Sequence, residues 1–282
     1  MNDLHEPSAP DRADRETRLL RAIREGVGAR HAYVCFSGGI DSTLVLAACL
    51  RAQLPTTALI GVSASLPRAE LAEAHRLAME LGAPIEEVPT GEMELDEYRA
   101  NSGDRCFHCK TTLYESVGAL AAARGAAGRA AILAGTHLDD LGEHRPGLRA
   151  GSEHAVLTPL VSAGFRKSDV RSLARAWKLS NAEKPAAPCL ASRLPVGVEV
   201  TPQRLEQVEG VEDFLRAHGL WPARARWHGA VVRIELPPEL FPRILEEPAR
   251  GELHRRCSEL GFRFVALDLA GLQSGSLAHS LV

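Results

Sequence analysis

The feature that most constrains this chain is an apolar run that ends in two glycines and a polar helix start, Val-Cys-Phe-Ser-Gly-Gly-Ile-Asp-Ser-Thr at residues 34–43. The apolar run predicts a buried strand, and the glycines predict a tight turn into a helix that begins near Asp41. A helix N-terminus directs unpaired N–H groups and positive partial charge toward an anion. Ser37 and Ser42 would add hydroxyl donors, and Asp41 could cap the helix or hold a magnesium ion. The segment therefore predicts a phosphate-binding turn.

The turn does not match the two most common nucleotide motifs. No lysine follows the glycines at the P-loop spacing, and the G-x-G-x-x-G dinucleotide pattern is absent. It resembles the Ser-Gly-Gly-x-Asp-Ser loop of the PP-loop ATP pyrophosphatases, which bind the pyrophosphate of ATP and adenylylate a substrate. An ordinary glycine turn between a strand and a helix is the alternative. The resemblance implies that ATP contacts Ser37, Gly38, Gly39, Asp41 and Ser42.

The order of elements predicts an α/β fold with a doubly wound parallel sheet, because short apolar runs alternate with helical patterns of 10 to 15 residues. We expect strands at 31–36, 58–63, 85–89 and 130–134, and helices at about 15–27, 41–53, 67–81, 110–124 and 166–178. ATP should then lie at the carboxyl ends of the strands, where Ser37, Ser63 and Gly135 fall.

The chain of 282 residues exceeds the usual size of one domain. Three prolines within residues 185–195 break any regular element, and a new pattern follows: helix 202–218, strand 224–236, helix 239–260 and strand 262–269. We therefore expect a second, smaller α/β domain. The predicted boundaries are a flexible tail (1–14), a PP-loop ATP pyrophosphatase domain (15–180), a cysteine-bearing loop or linker (181–195) and a C-terminal domain for substrate binding and oligomerisation (196–282).

Composition excludes several classes of protein. A net charge of −3 without a basic run gives no reason to expect a nucleic-acid partner, and no apolar stretch is long enough for a membrane span. The N-terminal residues are charged rather than signal-like, so we expect a cytoplasmic protein. Six cysteines in a chain of this size and location suggest thiol or metal chemistry rather than disulfides.

Three of the cysteines fall in segments that we expect to be loops. Cys106 and Cys109 form a C-x-x-C pair, and Cys189 follows a proline. A lone C-x-x-C pair fits a redox pair, half of a zinc site or two iron–sulfur ligands. With Cys189 the set suggests an iron–sulfur cluster with one open iron, or a zinc site completed by His108 or water. The other three cysteines lie in apolar segments and fit buried small hydrophobic residues.

Further short motifs occur in a fixed order along the chain. They are 105–110 (Arg-Cys-Phe-His-Cys-Lys), 135–140 (Gly-Thr-His-Leu-Asp-Asp), 145–148 (Arg-Pro-Gly-Leu), 184–185 (Lys-Pro), 189–193 (Cys-Leu-Ala-Ser-Arg), 224–226 (Arg-Ala-Arg), 233–235 (Arg-Ile-Glu) and 267–269 (Leu-Asp-Leu), followed by Gly275-Ser276. Together with the glycine turn they resemble the LarE family, the ATP-dependent sulfur transferases that build the nickel-pincer cofactor of lactate racemase. The resemblance runs from about residue 15 to the C-terminus.

The resemblance implies a reaction in two stages. ATP adenylylates a carboxylate of pyridinium-3,5-biscarboxylic acid mononucleotide, and a sulfur then replaces AMP to give a thiocarboxylate, over two rounds. In one branch of the family the residue matching Cys189 gives up its own sulfur. In another, residues matching Cys106, Cys109 and Cys189 hold a four-iron four-sulfur cluster whose open iron carries the sulfur. The presence of all three favours the cluster-dependent version. The resemblance further implies ATP and magnesium as cofactors, a protein that donates sulfur or an iron–sulfur cluster, and a trimeric or hexameric homo-oligomer.

The remaining candidate residues are carboxylates and arginines. Asp139 and Asp140 could organise magnesium or the ATP phosphates, although they could also be an ordinary charged helix start. Glu212 matches an acidic position of the family and could orient the chemistry of Cys189, or it could be a surface carboxylate of a helix. The acceptor phosphate would suit charge-assisted bonds from guanidinium groups, or these could form a solvated strand face: Arg193, Arg224 and Arg226.

Two other functions fit part of the pattern. A PP-loop tRNA thiolase also couples adenylylation to cysteines, but it requires a basic face that this composition does not show. A nucleotide-binding or iron–sulfur carrier without catalysis is the alternative from a different class. The intact glycine turn argues against it, and ATP–pyrophosphate exchange with the candidate acid would separate the two.

Overall fold

The computed structural model describes residues 9–124, 128–142 and 146–273. The helices are α1 (Ala9–Val27), α2 (Ile40–Arg51), α3 (Arg68–Glu80), α4 (Asp96–Ala100), α5 (Arg105–Ala123), α6 (Pro146–Glu153), α7 (Pro159–Ser162), α8 (Lys167–Ala176), α9 (Pro202–Ala217), α10 (Phe241–Leu245) and α11 (Ala249–Glu259). The strands are β1 (His31–Cys35), β2 (Thr56–Val62), β3 (Ile85–Pro89), β4 (Ala130–Leu133), β5 (Arg224–His228), β6 (Val231–Glu235) and β7 (Phe264–Leu267). Short 3-10 helices lie at Glu92–Glu94, Leu138–Gly142, Leu190–Arg193 and Pro238–Leu240.

The first of two compact units comprises residues 1–63, 68–92 and 106–187. It contains a sheet of four parallel strands in the order β3-β2-β1-β4, flanked by helices. Strands with near-continuous apolar sequence are typical of a parallel sheet that is covered by helices. The predicted doubly wound α/β fold is therefore confirmed.

Side-chain alternation along β1 explains how α5 covers the sheet. Tyr33 and Cys35 point to the same face, and they join a buried cluster with Leu113 and Val117 of α5. Burial of these apolar side chains supplies the main free energy that holds helix and sheet together.

The order of the strands reverses between β1 and β4. From β1 the chain runs through α2 to β2 and then to β3, whereas β4 pairs with the other edge of β1. Loops at such a reversal diverge and leave a crevice at the carboxyl ends of the strands. The glycine turn follows β1 and Gly135 follows β4, so both lie at this edge.

The second unit comprises residues 64–67, 93–105 and 188–282. Its three-stranded sheet has the order β5-β6-β7, in which β5 and β6 are antiparallel and β6 and β7 are parallel. Helices α9 and α11 pack with this sheet. The unit is a small α/β domain, and it includes two segments, 64–67 and 93–105, that the sequence placed in the first domain.

Several predicted elements were wrong in extent. The strand expected at 224–236 is a hairpin, because Gly229 turns the chain with a φ of 68°. The helix expected at 239–260 is divided into a 3-10 turn, α10 and α11, with Pro248 at the start of α11, where a missing N–H is tolerated. Helices α4, α6 and α7 were not predicted.

The N-terminal helix also differs from expectation. Helix α1 begins at Ala9, so residues 9–14 are not part of a flexible tail. An ion pair between Arg18 and Asp14 and a bond from the Thr17 hydroxyl to the Ala13 carbonyl stabilise its early turns. Residues 1–8, Arg145 and the Gly275-Ser276 pair lie outside the described residues.

No helix within the described ranges combines the length and the apolar character that crossing a bilayer requires.

Candidate functional site

The glycine turn after β1 has the geometry of an anion-binding turn. Gly38 has a φ of 68°, a conformation that favours glycine, and Gly39 is the N-cap of α2. The Ser42 hydroxyl donates to the Gly39 carbonyl (3.0 Å) and lies 3.3 Å from the Ser37 hydroxyl. These bonds fix the turn, while the first N–H groups of α2 keep the direction expected for binding an anion.

Asp41 does not cap α2, contrary to one of the two roles predicted for it. Gly39 occupies the N-cap position without a side-chain cap bond, and Asp41 lies in the first helical turn. Both of its carboxylate oxygens accept bonds from the Lys167 ammonium, at 2.7 and 2.6 Å. The ammonium is partly exposed and lies directly beside the turn.

Gly135 is required by the close approach of β4 to α2. A Cβ at this position would lie 2.7 Å from the Ser42 nitrogen and 2.8 Å from the Asp41 carbonyl carbon. No side chain fits there without movement of backbone. Ser63 directly follows β2, so the three predicted strand-end positions lie at the carboxyl edge of the sheet.

A cluster of carboxylates and bases surrounds the same edge. Asp139 accepts bonds from the Lys167 backbone N–H (2.7 Å) and the Arg166 guanidinium (2.8 Å), which hold the pKa of its carboxyl below the usual value. Asp140 accepts the His137 backbone N–H at 3.0 Å. The His137 ring is buried, and its Nδ1, which lacks a hydrogen-bond partner among the described residues, is 3.6 Å from an Asp140 oxygen.

The buried Asn181 braces the glycine turn from the other side. Its amide donates to the Gly38 carbonyl (3.1 Å) and to the Thr43 hydroxyl (2.8 Å). Nearby, the Lys184 ammonium pairs with Glu70 at 2.6 Å. The first residues of the predicted linker are thus attached to the first unit.

The C-x-x-C pair lies on a helix and not in a loop, contrary to the sequence prediction. Cys106 and Cys109 occupy the first turn of α5, which begins at Arg105. Residues three apart on a helix are neighbours on one side, so the two thiols lie one turn apart. Gly147 of α6 packs closely here, since a Cβ added at this position would lie 3.3 Å from the Cys106 carbonyl oxygen. The Arg149 guanidinium covers the Phe107 ring at 3.7 Å.

Lys110 places an ammonium beside this pair. Burial lowers the pKa of Lys110, but Tyr114, Cys109, Cys35 and Cys106 together outweigh that effect, so its pKa is raised.

The six cysteines divide into two classes by burial. Cys35, Cys49 and Cys257 are buried, and burial raises the pKa of their thiols to about 11, about 12 and about 12. Cys106 is exposed, and Cys109 and Cys189 are half-buried. None of the six is in a disulfide, and all lie within the described residues.

In the second unit, Cys189 precedes a short 3-10 helix whose last residue, Arg193, is buried. The Arg193 guanidinium forms two bonds to Glu212, at 2.8 and 3.0 Å, and donates to the Pro188 carbonyl at 3.0 Å. Glu212 also accepts the Ala225 backbone N–H at 3.0 Å. Glu212 is therefore connected to the Cys189 segment through the Arg193 guanidinium, which binds both the Glu212 carboxylate and the Pro188 carbonyl.

The arginines predicted to bind a phosphate differ in their partners. Arg226 is 3% exposed and pairs with the fully buried Glu235 at 2.9 Å, as Arg193 does with Glu212. Arg224 donates to the Gln273 carbonyl and forms no ion pair within the described part of the chain. Burial, then the Arg226 and Arg193 cations, lower its pKa. Arg224 is thus the arginine of the three whose guanidinium is not already held by a carboxylate among the described residues, although Glu235 and Glu212 are close enough to attract it.

The structure brings most predicted residues into two groups, one in each unit. The first surrounds the start of α2, and the second surrounds the Cys189 segment. Sequence reasoning missed Lys167 and Asn181. The sequence did contain a signal for Arg166 and Lys167, because two cations at the start of a helix interact unfavourably with the helix dipole and therefore suggest a separate role. Within residues 9–124, 128–142 and 146–273, no three His, Cys, Asp or Glu side chains are placed to hold a metal ion.

Known proteins resemble this chain along most of its length. It is 35% identical over 271 residues to the pyridinium-3,5-bisthiocarboxylic acid mononucleotide synthase of Lactiplantibacillus plantarum, covering 95% of both chains. It is 38% identical over 252 residues to an uncharacterized protein of Synechocystis sp., covering 89% of this chain and 92% of that protein. An uncharacterized protein of Methanocaldococcus jannaschii is 25% identical over 259 residues, covering 89% and 94%. No family model matches the sequence.

Proposed function

The chain belongs to the LarE family of pyridinium-3,5-bisthiocarboxylic acid mononucleotide synthases, and from this membership we propose that it is an ATP-dependent sulfur transferase. Its acceptor would be pyridinium-3,5-biscarboxylic acid mononucleotide, whose carboxylates become thiocarboxylates. A carboxylate resists attack until its oxygen is part of a good leaving group, so the reaction begins with adenylylation.

The first unit would bind ATP at the start of α2. The helix N-terminus and the Ser37 and Ser42 hydroxyls would contact the phosphates, with the ammonium of Lys167 near the departing pyrophosphate. An acceptor carboxylate oxygen attacks the α-phosphorus, the bond to pyrophosphate breaks, and an acyl adenylate forms. Magnesium, when bound, would neutralise phosphate charge, and Asp41 and Asp139 would be its carboxylate ligands, in competition with the bonds that both accept from Lys167.

The second unit would bind the phosphate of the acceptor. Arg224 supports this assignment, because it forms no ion pair among the described residues and lies near two guanidiniums that are already paired. Charge-assisted bonds from a guanidinium to a phosphate are short and strong.

Sulfur delivery would use the accessible cysteines Cys106, Cys109 and Cys189. A sulfur nucleophile forms a bond to the acyl carbon, and the carbon–oxygen bond to AMP breaks. A four-iron four-sulfur cluster, when bound, would supply transferable sulfur, and three thiolates are ligands of the right chemistry for it. Among the described residues, no three His, Cys, Asp or Glu side chains are placed to hold a metal ion. The proposal therefore includes the requirement that the three sulfur atoms come together when a cluster binds.

The observation that carries this function is the combination, in one member of the family, of a glycine turn fixed beside Lys167 with three accessible cysteines. The test begins with protein purified without oxygen, in which iron and acid-labile sulfide are measured. The protein then receives ATP, magnesium and the acceptor acid. Pyrophosphate, AMP and the thiocarboxylate product are followed by mass spectrometry, with Cys106→Ala, Cys109→Ala and Cys189→Ala beside the buried control Cys49→Ala.

Formation of thiocarboxylate with release of pyrophosphate and AMP supports the function. If no thiocarboxylate forms when intact ATP and acceptor are both present, the function is contradicted. Iron and sulfide that disappear in all three variants, but not in Cys49→Ala, support the cluster. Iron-free protein that loses one sulfur atom at Cys189 during the reaction supports the sacrificial route. A cytoplasmic trimer or hexamer stays a prediction, which fractionation and light scattering would check.

A further inference from the structure

The segment that carries Cys189 is held by one contact from a distant part of the second unit and by one contact within the segment. The Leu190 backbone N–H donates to the Ser65 carbonyl at 2.8 Å, and the Arg193 guanidinium donates to the Pro188 carbonyl at 3.0 Å. Backbone groups on both sides of Cys189 are therefore fixed, whereas Cys189 itself stays half-buried.

Asn101 supports the end of the same segment. It is 2% exposed and has a φ of 54°, a conformation that asparagine adopts more readily than most residues. Its amide nitrogen donates to the carbonyls of Pro195 (2.8 Å) and Val198 (3.0 Å), and its amide oxygen accepts from Arg105 at 2.6 Å. Both donors and the acceptor of the side chain are thus used.

Arg105 connects this asparagine to the cysteine segment. Its Nη1 also donates to the Ala191 carbonyl at 2.9 Å. Ala191 lies two residues after Cys189, and Arg105 directly precedes Cys106 in the chain. One guanidinium of the second unit therefore joins Asn101 to the backbone two residues after Cys189.

We propose that Arg105 and Asn101 are positioning residues for sulfur transfer, which hold the backbone of the Cys189 segment so that the thiol keeps one place. The inference rests on the proposed function. Neither side chain lies in the glycine turn that would bind ATP, so their loss should affect sulfur transfer far more than adenylylation. A displacement of about 1 Å in a reacting group can slow a reaction by about 10²-fold.

The test compares Arg105→Met, Arg105→Lys and Asn101→Asp with the control Arg99→Met. Arg99 lies in the same segment, but its side chain contacts Met93 and Asp96 instead of the cysteine segment. Two rates are measured: acceptor-dependent ATP–pyrophosphate exchange, and thiocarboxylate formation in a single turnover. We expect Arg105→Met to lower the rate of thiocarboxylate formation by about 10²-fold, with little change in the rate of ATP–pyrophosphate exchange. Arg105→Lys, which keeps one donor group, should recover part of the loss, and Arg99→Met should match the native protein.

A second measurement does not depend on the proposed function. The rate at which iodoacetamide alkylates Cys189 is determined by peptide mass spectrometry, with the buried Cys257 as a reporter of folding. Arg105→Met and Asn101→Asp should change the alkylation rate of Cys189 several-fold while Cys257 stays protected. Unchanged alkylation and unchanged sulfur transfer in both variants would overturn the inference, as would equal losses of exchange and transfer in both. If the native protein forms no thiocarboxylate, the proposed function fails, while the alkylation result still decides whether Arg105 and Asn101 position Cys189.

Discussion

Removal of the Glu212 carboxylate tests whether the Cys189 segment depends on its buried ion pair. Glu212 and Arg193 are 3% and 4% exposed in their side chains, and Glu212 also accepts the Ala225 N–H. Glu212→Ala leaves a buried cation without its partner, which costs about 3–5 kcal/mol. It also leaves a buried N–H unsatisfied, at about 1–3 kcal/mol. The lower limits together predict a loss of about 4 kcal/mol in the free energy of unfolding of the second unit.

The assay is urea denaturation followed by tryptophan fluorescence, to which Trp221 and Trp227 of this unit contribute. With an m-value of about 2 kcal/mol/M, the midpoint should fall by about 2 M. Glu206→Ala is the matched control, because Glu206 is exposed on the same helix, and it should change stability by less than about 0.5 kcal/mol. Arg193→Met combined with Glu212→Met should be more stable than Glu212→Ala, since no charge is left unpaired. A loss below about 1 kcal/mol in Glu212→Ala, or an equal loss in the control, would refute this reasoning.

Four further predictions concern the glycine turn and the thiols. Lys167→Met should lower ATP–pyrophosphate exchange by about 10²-fold, because the ammonium beside Asp41 is lost, whereas exposed Lys178→Met should not; equal rates would show that Lys167 does not act on the phosphates. Gly135→Ala should destabilise the protein by about 1–3 kcal/mol and weaken ATP binding in calorimetry, unlike Gly118→Ala, whose added methyl group meets nothing within 4 Å. Iodoacetamide at about pH 8 should label Cys106, Cys109 and Cys189 of the cluster-free protein before the three buried cysteines, since the thiolate is the reactive form; rapid labelling of Cys49 would contradict this. Burial raises the pKa of Cys49 from 9.0 to about 12, so the unfolded thiol ionises first and stability should fall as pH rises from 9 toward 12, less steeply in Cys49→Ala; equal slopes in urea titrations would contradict the assignment.

Local sequence patterns determined the core of the first unit. Strand β3 lies at the predicted residues, and the glycine turn joins β1 to α2 as expected, because short apolar runs and glycine conformations are local properties. Boundaries were less accurate where tertiary contacts extend or interrupt an element. Helix α5 begins at Arg105, not near residue 110, and there the Arg105 guanidinium donates to the Ala191 carbonyl, which lies 86 positions later in the chain.

The sequence by itself determined the fold class, the glycine turn between β1 and α2, and the separation of the cysteines into apolar and polar segments. Only the tertiary structure decided which groups meet. Lys167 reaches Asp41 across 126 positions of sequence, and Glu212 reaches Arg193 across 19. Periodicity and propensity report the conformation of neighbouring residues, whereas the partner of a buried charge depends on how separate elements pack. For that reason the sequence named the three arginines of the second unit only as one group of candidates, and the structure alone distinguished the paired Arg193 and Arg226 from Arg224.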